Sequence, residues 1–175
     1  VRRKIPPATR AQQLDALRNG LALAASLGIT SIQNAHGSRE DVELYQDLLA
    51  RGQLTLRVSV AMDANPRTTE ADMQKIAALA KEFSGPRLRV GAIKMMMDGV
   101  IETHTAAMLA PYSDQPDTSG RPQYTQEQAN HIVAWADRAG LQVYIHAIGD
   151  RAVRMSLDAF ENAVKVNGKK DSRFR

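Results

Sequence analysis

Two residues in this chain have the type and placement to do chemistry. His146 closes an apolar run, LQVYIH, and AIGD follows at once. Lys94 interrupts a second apolar run, GAIKMMM, which ends in Asp98 and Gly99. An imidazole at the end of a strand offers one nitrogen lone pair to a metal or a proton, while its other N–H can be held by a neighbouring acceptor. A lysine among apolar neighbours is costly to keep charged, and burial lowers its pKa. The neutral amine that results is a nucleophile. It can form a Schiff base with a carbonyl, or a carbamate with carbon dioxide whose two oxygens bridge two metal ions. The structural alternatives are a hydrogen-bonded core histidine and a lysine that snorkels to the strand end or pairs with Asp98.

Further candidates cluster around these two. Asp98, Glu102 and His104 open a long irregular stretch from Asp98 to Tyr124 and are possible substrate-facing groups, with Asp98 serving equally well as a turn former or a partner of Lys94. His36 follows the run ITSIQNA, at another strand end. Asp150 is expected to cap the last helix. His131 sits among polar residues and reads as a surface group, and Met95 to Met97 read as packing. No phosphate-binding loop, dinucleotide fingerprint, HExxH or GxSxG occurs.

The elements that must position these residues repeat one grammar. Thr9, Ser38, Thr68 or Thr69, and Thr125 each stand before a stretch with apolar residues at spacings of three and four. Leu14, Leu17, Leu21, Ala24 and Leu27 form the first such stripe, and Ile132, Val133 and Trp135 belong to the fourth. Gly28, Gly52, Gly85 and Gly140 follow these helices, as terminating glycines do. Short apolar strands come next: ITSIQNA, LTLRVSVAM, RVGAIKMMM and LQVYIHAI. A fifth helix runs from about Asp150 to Val166. Strands joined through helices must be parallel, so the chain is α/β, either a (β/α) barrel or a doubly wound sheet. In both, chemistry sits at the C-terminal ends of the strands.

A chain of 175 residues fits one domain, with no internal linker. No run approaches the roughly 20 apolar residues of a membrane span, and VRRKIPPATR lacks the apolar centre of a secretory signal. The absence of cysteine excludes disulfides and thiolate ligands and fits a cytoplasmic protein. The net charge of +4 comes from the ends, Arg2, Arg3 and Lys4 at one and the KKDSRFR tail at the other. The body carries a small negative balance, which argues against a nucleic-acid face. The chain begins at Val1 and ends in DSRFR, which looks like the approach to another strand, so it is expected to be a central fragment.

From Gly91 through Ala163 the chain resembles the amidohydrolase superfamily, in the family 3 branch that includes N-substituted formamide deformylases. IKMMMDG, TAAMLAPYSD, Gly120 and above all ADRAGLQVYIHAIGDRAVRMSLDAFENA carry the resemblance. The resemblance implies a partial TIM (β/α)8 barrel, roughly strands two to five with their helices, spanning residues 1–175. It implies a metal-dependent hydrolase of C–N bonds in amide-like, non-peptide small molecules. Lys94 corresponds to the carboxylated lysine that bridges the metals and His146 to a histidine ligand, with zinc the expected divalent ion. No HxH pair occurs, so the fragment is expected to be inactive alone and to self-associate through open barrel edges. The competing reading is a non-catalytic α/β module in which Lys94 and His146 grip a small anion.

Overall fold

A computed structural model describes residues 6–175; the basic cluster at Arg2, Arg3 and Lys4 lies outside the described residues. Five helices alternate with four strands in the order α1 (Arg10–Ser26), β1 (Ser31–Gly37), α2 (Arg39–Ala50), β2 (Arg57–Asp63), α3 (Glu70–Glu82), β3 (Leu88–Met96), α4 (Gln126–Arg138), β4 (Gln142–His146) and α5 (Asp150–Asn167). Thr9, Ser38, Thr69 and Thr125 each close a reciprocal capping box with the residue three positions on. Gly28, Gly52, Gly140 and Gly168 take positive φ just beyond their helices.

All strand pairs are parallel, and the spatial order is β1-β2-β3-β4. Right-handed crossovers between strands added in one direction put every helix on the same side. A doubly wound sheet would reverse its order part-way. The sheet is therefore a segment of a barrel wall, with helices outside and a concave inner face. Its curl is visible in one contact: Arg175, beyond β4, donates to Gln33 on β1 and to Gln142 on β4 (2.8 Å).

The core lies between the sheet and the helices in two clusters. One gathers Ile93, Met95, Met97 and Val143 with Ile132, Trp135 and Ala159. The other gathers Val58, Val60, Leu88 and Val90 with Val42, Leu48 and Leu79. Both flanks of the wall leave apolar side chains in solvent: Leu23, Leu27 and Ile29 beside β1, Leu157 and Val164 on α5. Leu27 thus departs from the expected core stripe of α1, because no described residue covers it. The tail continues past α5 and pairs with the outer edge of β4: Arg175 N–H donates to the Val143 carbonyl (3.1 Å) and Ile145 N–H to that of Arg175 (2.8 Å).

Two bulges decide which side chains face inward. Val60 pairs with Val90 but Met62 pairs with Ile93, so β3 carries one extra residue at Gly91–Ala92. Likewise Asn34 pairs with Val60 and Gly37 with Met62, so β1 carries one at Ala35–His36. An extra residue inverts the alternation beyond it. Val90 points to the helices, and on an unbroken strand Lys94, four residues on, would follow it. The bulge turns Lys94 to the concave face instead.

The stretch from Asp98 to Tyr124 contains a single 3₁₀ turn, Ile101–Thr103, yet is packed. Ala106 and Ala107 are fully buried, and the Tyr112 hydroxyl donates to the Ala106 carbonyl (2.7 Å). The Tyr124 hydroxyl donates to the Ala64 carbonyl, and burial pushes its pKa up to about 12. Gly149 meets this stretch so closely that a Cβ there would overlap the Ala107 carbonyl. Gly140 has positive φ but open space around it. Gly149→Ala is therefore expected to destabilise the chain by about 2–3 kcal/mol, and Gly140→Ala by about 1–2 kcal/mol from left-handed strain alone. Urea denaturation of the two variants checks the order.

Candidate metal centre at the ends of β3 and β4

Lys94 and His146 leave adjacent strands on the same face. Lys94 pairs with Tyr144 and Met96 with His146, so the two candidates are offset by one inward-facing position. The Lys94 amine lies 4.9 Å from the centre of the Tyr144 ring, a cation–π distance. It forms no ion pair among the described residues. Desolvation holds its pKa below the ordinary lysine value, which favours the neutral, nucleophilic amine.

His146 is largely enclosed. Its Nε2 lies 2.9 Å from the Gly99 carbonyl. A carbonyl can only accept, so Nε2 carries the proton and Nδ1 keeps the lone pair. A ligand histidine held by a backbone carbonyl through its other nitrogen has this arrangement. One imidazole held through a single nitrogen and one amine whose pKa burial lowers, on neighbouring strands of a barrel's inner face, fit two members of a metal-ligand set. No group of three or more His, Asp or Glu suited to a metal ion occurs among the described residues, so the pair is not a complete site.

Asp98 is buried rather than open to the concave face, and it forms no ion pair with Lys94 among the described residues. It is fully buried, and its carboxylate accepts three backbone N–H groups: Ala107 (2.9 Å), Ile148 (3.0 Å) and Gly149 (2.8 Å). Its Oδ1 stands 3.9 Å from His146 Nε2. Glu102 is exposed on the 3₁₀ turn. His104 takes a left-handed backbone and spends its Nε2 on Asp114 (3.0 Å), with its ring edge-on to Tyr112. That bond holds the Asp114 carboxyl below its usual range. Glu102 and His104 are thus not gathered with Lys94 and His146, whereas Asp98 stands behind His146. Asp150 is the first residue of α5, not its cap; its carboxylate accepts from Leu109 (2.7 Å) and Arg151 (2.8 Å). His131 faces Glu70 at the surface.

The chain's apolar strand LTLRVSVAM ends in Asp63, and this residue went unremarked although it follows the same grammar as His146. Asp63 pairs in register with Lys94, and His36 Nδ1 stands 3.6 Å from its Oδ1. Tyr144, two residues before His146, was equally legible from alternation once Lys94 was placed opposite it. A cavity of about 730 Å³ lies at the other end of β3 and β4, among Arg89, Leu141 and Phe174, away from these groups.

The family model described as Amidohydrolase family matches residues 1–175. The chain is 32% identical over 136 residues to Protein LONG AFTER FAR-RED 3 of Arabidopsis thaliana, covering 78% of this chain and 22% of that protein. It is 35% identical over 91 residues to the putative amidohydrolase YtcJ of Bacillus subtilis, covering 52% of this chain and 17% of the relative. Among solved structures it superposes on an uncharacterised metal-dependent hydrolase from Pyrococcus furiosus with a TM-score of 0.71 and 26% identity, covering 89% of this chain and 32% of that one. The chain thus spans about a fifth of the length of these curated relatives.

Two outcomes follow from the geometry. Asp98→Ala strands three buried N–H donors, each costing about 1–3 kcal/mol, so a loss of at least about 3 kcal/mol is expected. Urea denaturation measures that loss, and limited proteolysis should find new cleavage between residues 99 and 124. A second concerns Lys94. Its folded pKa lies below 10.5, so the unfolded chain binds more protons in that interval and stability rises with pH through it. Lys94→Met should therefore be more stable than the parent at pH 7, with the gap closing as pH climbs past the ordinary lysine value; a gap that widened with pH would contradict the assignment.

Proposed function

The chain belongs to the amidohydrolase family, and from that premise we propose that it forms the central wall of a metal-dependent hydrolase. The reaction is cleavage of a C–N bond in amide-like, non-peptide small molecules, N-substituted formamides among them. One observation carries the reading: Lys94 and His146 share the concave face at the C-terminal ends of neighbouring strands, with the His146 ring held through Nε2 by Gly99. In barrel enzymes chemistry is done at that mouth.

Lys94 and His146 would hold a divalent metal, with zinc the expected ion. A bound divalent ion acidifies water and polarises a carbonyl, which is the chemistry amide hydrolysis needs. The protein's own part is positional. Gly99 fixes the His146 ring through Nε2 and leaves Nδ1 unengaged by that bond. Partial burial keeps the Lys94 amine competent to attack carbon dioxide; the C–N bond forms as one proton leaves the nitrogen, giving an anionic carbamate with two oxygen donors. The Tyr144 ring covers one side of that amine and limits its hydration. The remaining ligands of a complete set would come from strands beyond these four. No helix among the described residues is long and apolar enough to cross a membrane.

In the full natural polypeptide, Lys94→Ala with His146→Ala should strip the metal and abolish amide hydrolysis. Apoprotein reloaded in buffer freed of carbon dioxide should regain less metal than in bicarbonate. Elemental analysis decides both, and normal metal content in the double variant ends the proposal. The 175-residue chain alone should bind metal weakly and turn nothing over.

A further inference from the structure

Asp63 stands beside the proposed ligand pair without being part of it. It ends β2 in direct register with Lys94, on the same concave face. The bulge in β1 turns His36 onto that face as well, with Nδ1 3.6 Å from Asp63 Oδ1. That separation exceeds a hydrogen bond, so the His36 ring flanks this oxygen without occupying it. The other oxygen accepts the Asn65 amide at 3.1 Å.

Asp63 lines a cavity of about 780 Å³ together with Asn65, Arg67, Thr68, Asp72 and Gln123. A space of that order suits a small-molecule substituent. The second carboxylate on the wall is already used: Asp72 accepts from Thr69 N–H (3.2 Å), the Thr69 hydroxyl (2.7 Å) and Lys75 (3.0 Å), which together hold its pKa near 2. Arg67 forms no ion pair with Asp63 among the described residues, and neither does Lys94. Asp63 is left as a half-exposed carboxylate with an open acceptor, one strand from Lys94 and two from His146.

We propose that Asp63, flanked by His36, is a specificity residue that receives a primary ammonium or similar cationic N–H group on the amine side of the substrate. The proposal rests on Lys94 and His146 marking where the scissile carbonyl sits. Neighbouring strands are about 4.8 Å apart, so one to two strand spacings separate that carbonyl from Asp63. A linker of about four methylenes spans this distance. The substrate class is therefore an amide whose leaving amine carries a terminal cation. A charge-assisted N⁺–H···O⁻ bond is the strong form of such a contact.

The test uses two isosteric probes, N-(4-aminobutyl)acetamide and N-pentylacetamide, titrated calorimetrically into the full natural polypeptide, with metal content measured on the same samples. Wild type should bind the ammonium probe at least about tenfold more tightly than the neutral one. Asp63→Asn should erase that preference while leaving affinity for the neutral probe and the metal content unchanged. Asp63→Glu should keep the preference, which guards against a variant that merely fails to fold. Equal affinities in wild type, or a preference that survives Asp63→Asn, overturn the proposal. Loss of the metal reading is separately visible: Lys94 and His146 variants would then hold metal normally, whatever the probes do.

Discussion

The rest of the site depends on one buried carboxylate. Asp98 leaves the end of β3 and collects N–H groups from two distant segments, Ala107 in the long connection and Ile148–Gly149 before α5. A buried carboxyl group is tolerable when backbone donors surround it. This one thereby ties the β3 end, the connection and the β4–α5 turn into a single unit. The adjacent Gly99 carbonyl is then fixed where it accepts the hydrogen bond from His146 Nε2–H. The orientation of the candidate ligand follows from the position of a fully buried residue beside it.

The same unit explains how α5 begins without a capping side chain. Gly149 stands at the cap position and offers none. The first free N–H groups of α5 are met from outside the helix: the Ala107 carbonyl accepts from Arg151 (3.1 Å) and Ala152 (3.3 Å), and Asp150 accepts from Arg151. The close approach needs a residue without Cβ, so HAIGD reads as glycine for contact and aspartate for the helix start. The long irregular stretch is thus a structural strap over the end of the wall, and its His104 and Asp114 are occupied with each other.

Much of this was legible in the sequence. The helix starts at Thr9, Ser38, Thr69 and Thr125 were, because a capping box is a local motif. The strands were, because short apolar runs bounded by glycine and polar turns are local too. Lys94 and His146 stood out because each is a polar residue in an apolar strand. Which of the roles open to Asp98 it fills was not legible, for the opposite reason. Its neighbours in sequence suggest a loop, while its donors come from as far as 51 residues away. Leu27 was misjudged because periodicity names a face without saying whether anything covers it.

By itself the sequence determined the order and type of the elements, the parallel sense of the strands and the two side chains worth suspecting, since all of these follow from periodicity and local hydrogen bonding. Periodicity alone left barrel wall and doubly wound sheet open; the family resemblance implied the barrel, and the tertiary structure shows the strand order that bears it out, because strand order is a matter of which strands neighbour in space. Only the tertiary structure decided the faces. A single extra residue in β3 inverts the alternation and aims Lys94 inward, and one in β1 brings His36 to Asp63. A bulge exists only relative to the partner strand, so no single strand's sequence can announce it.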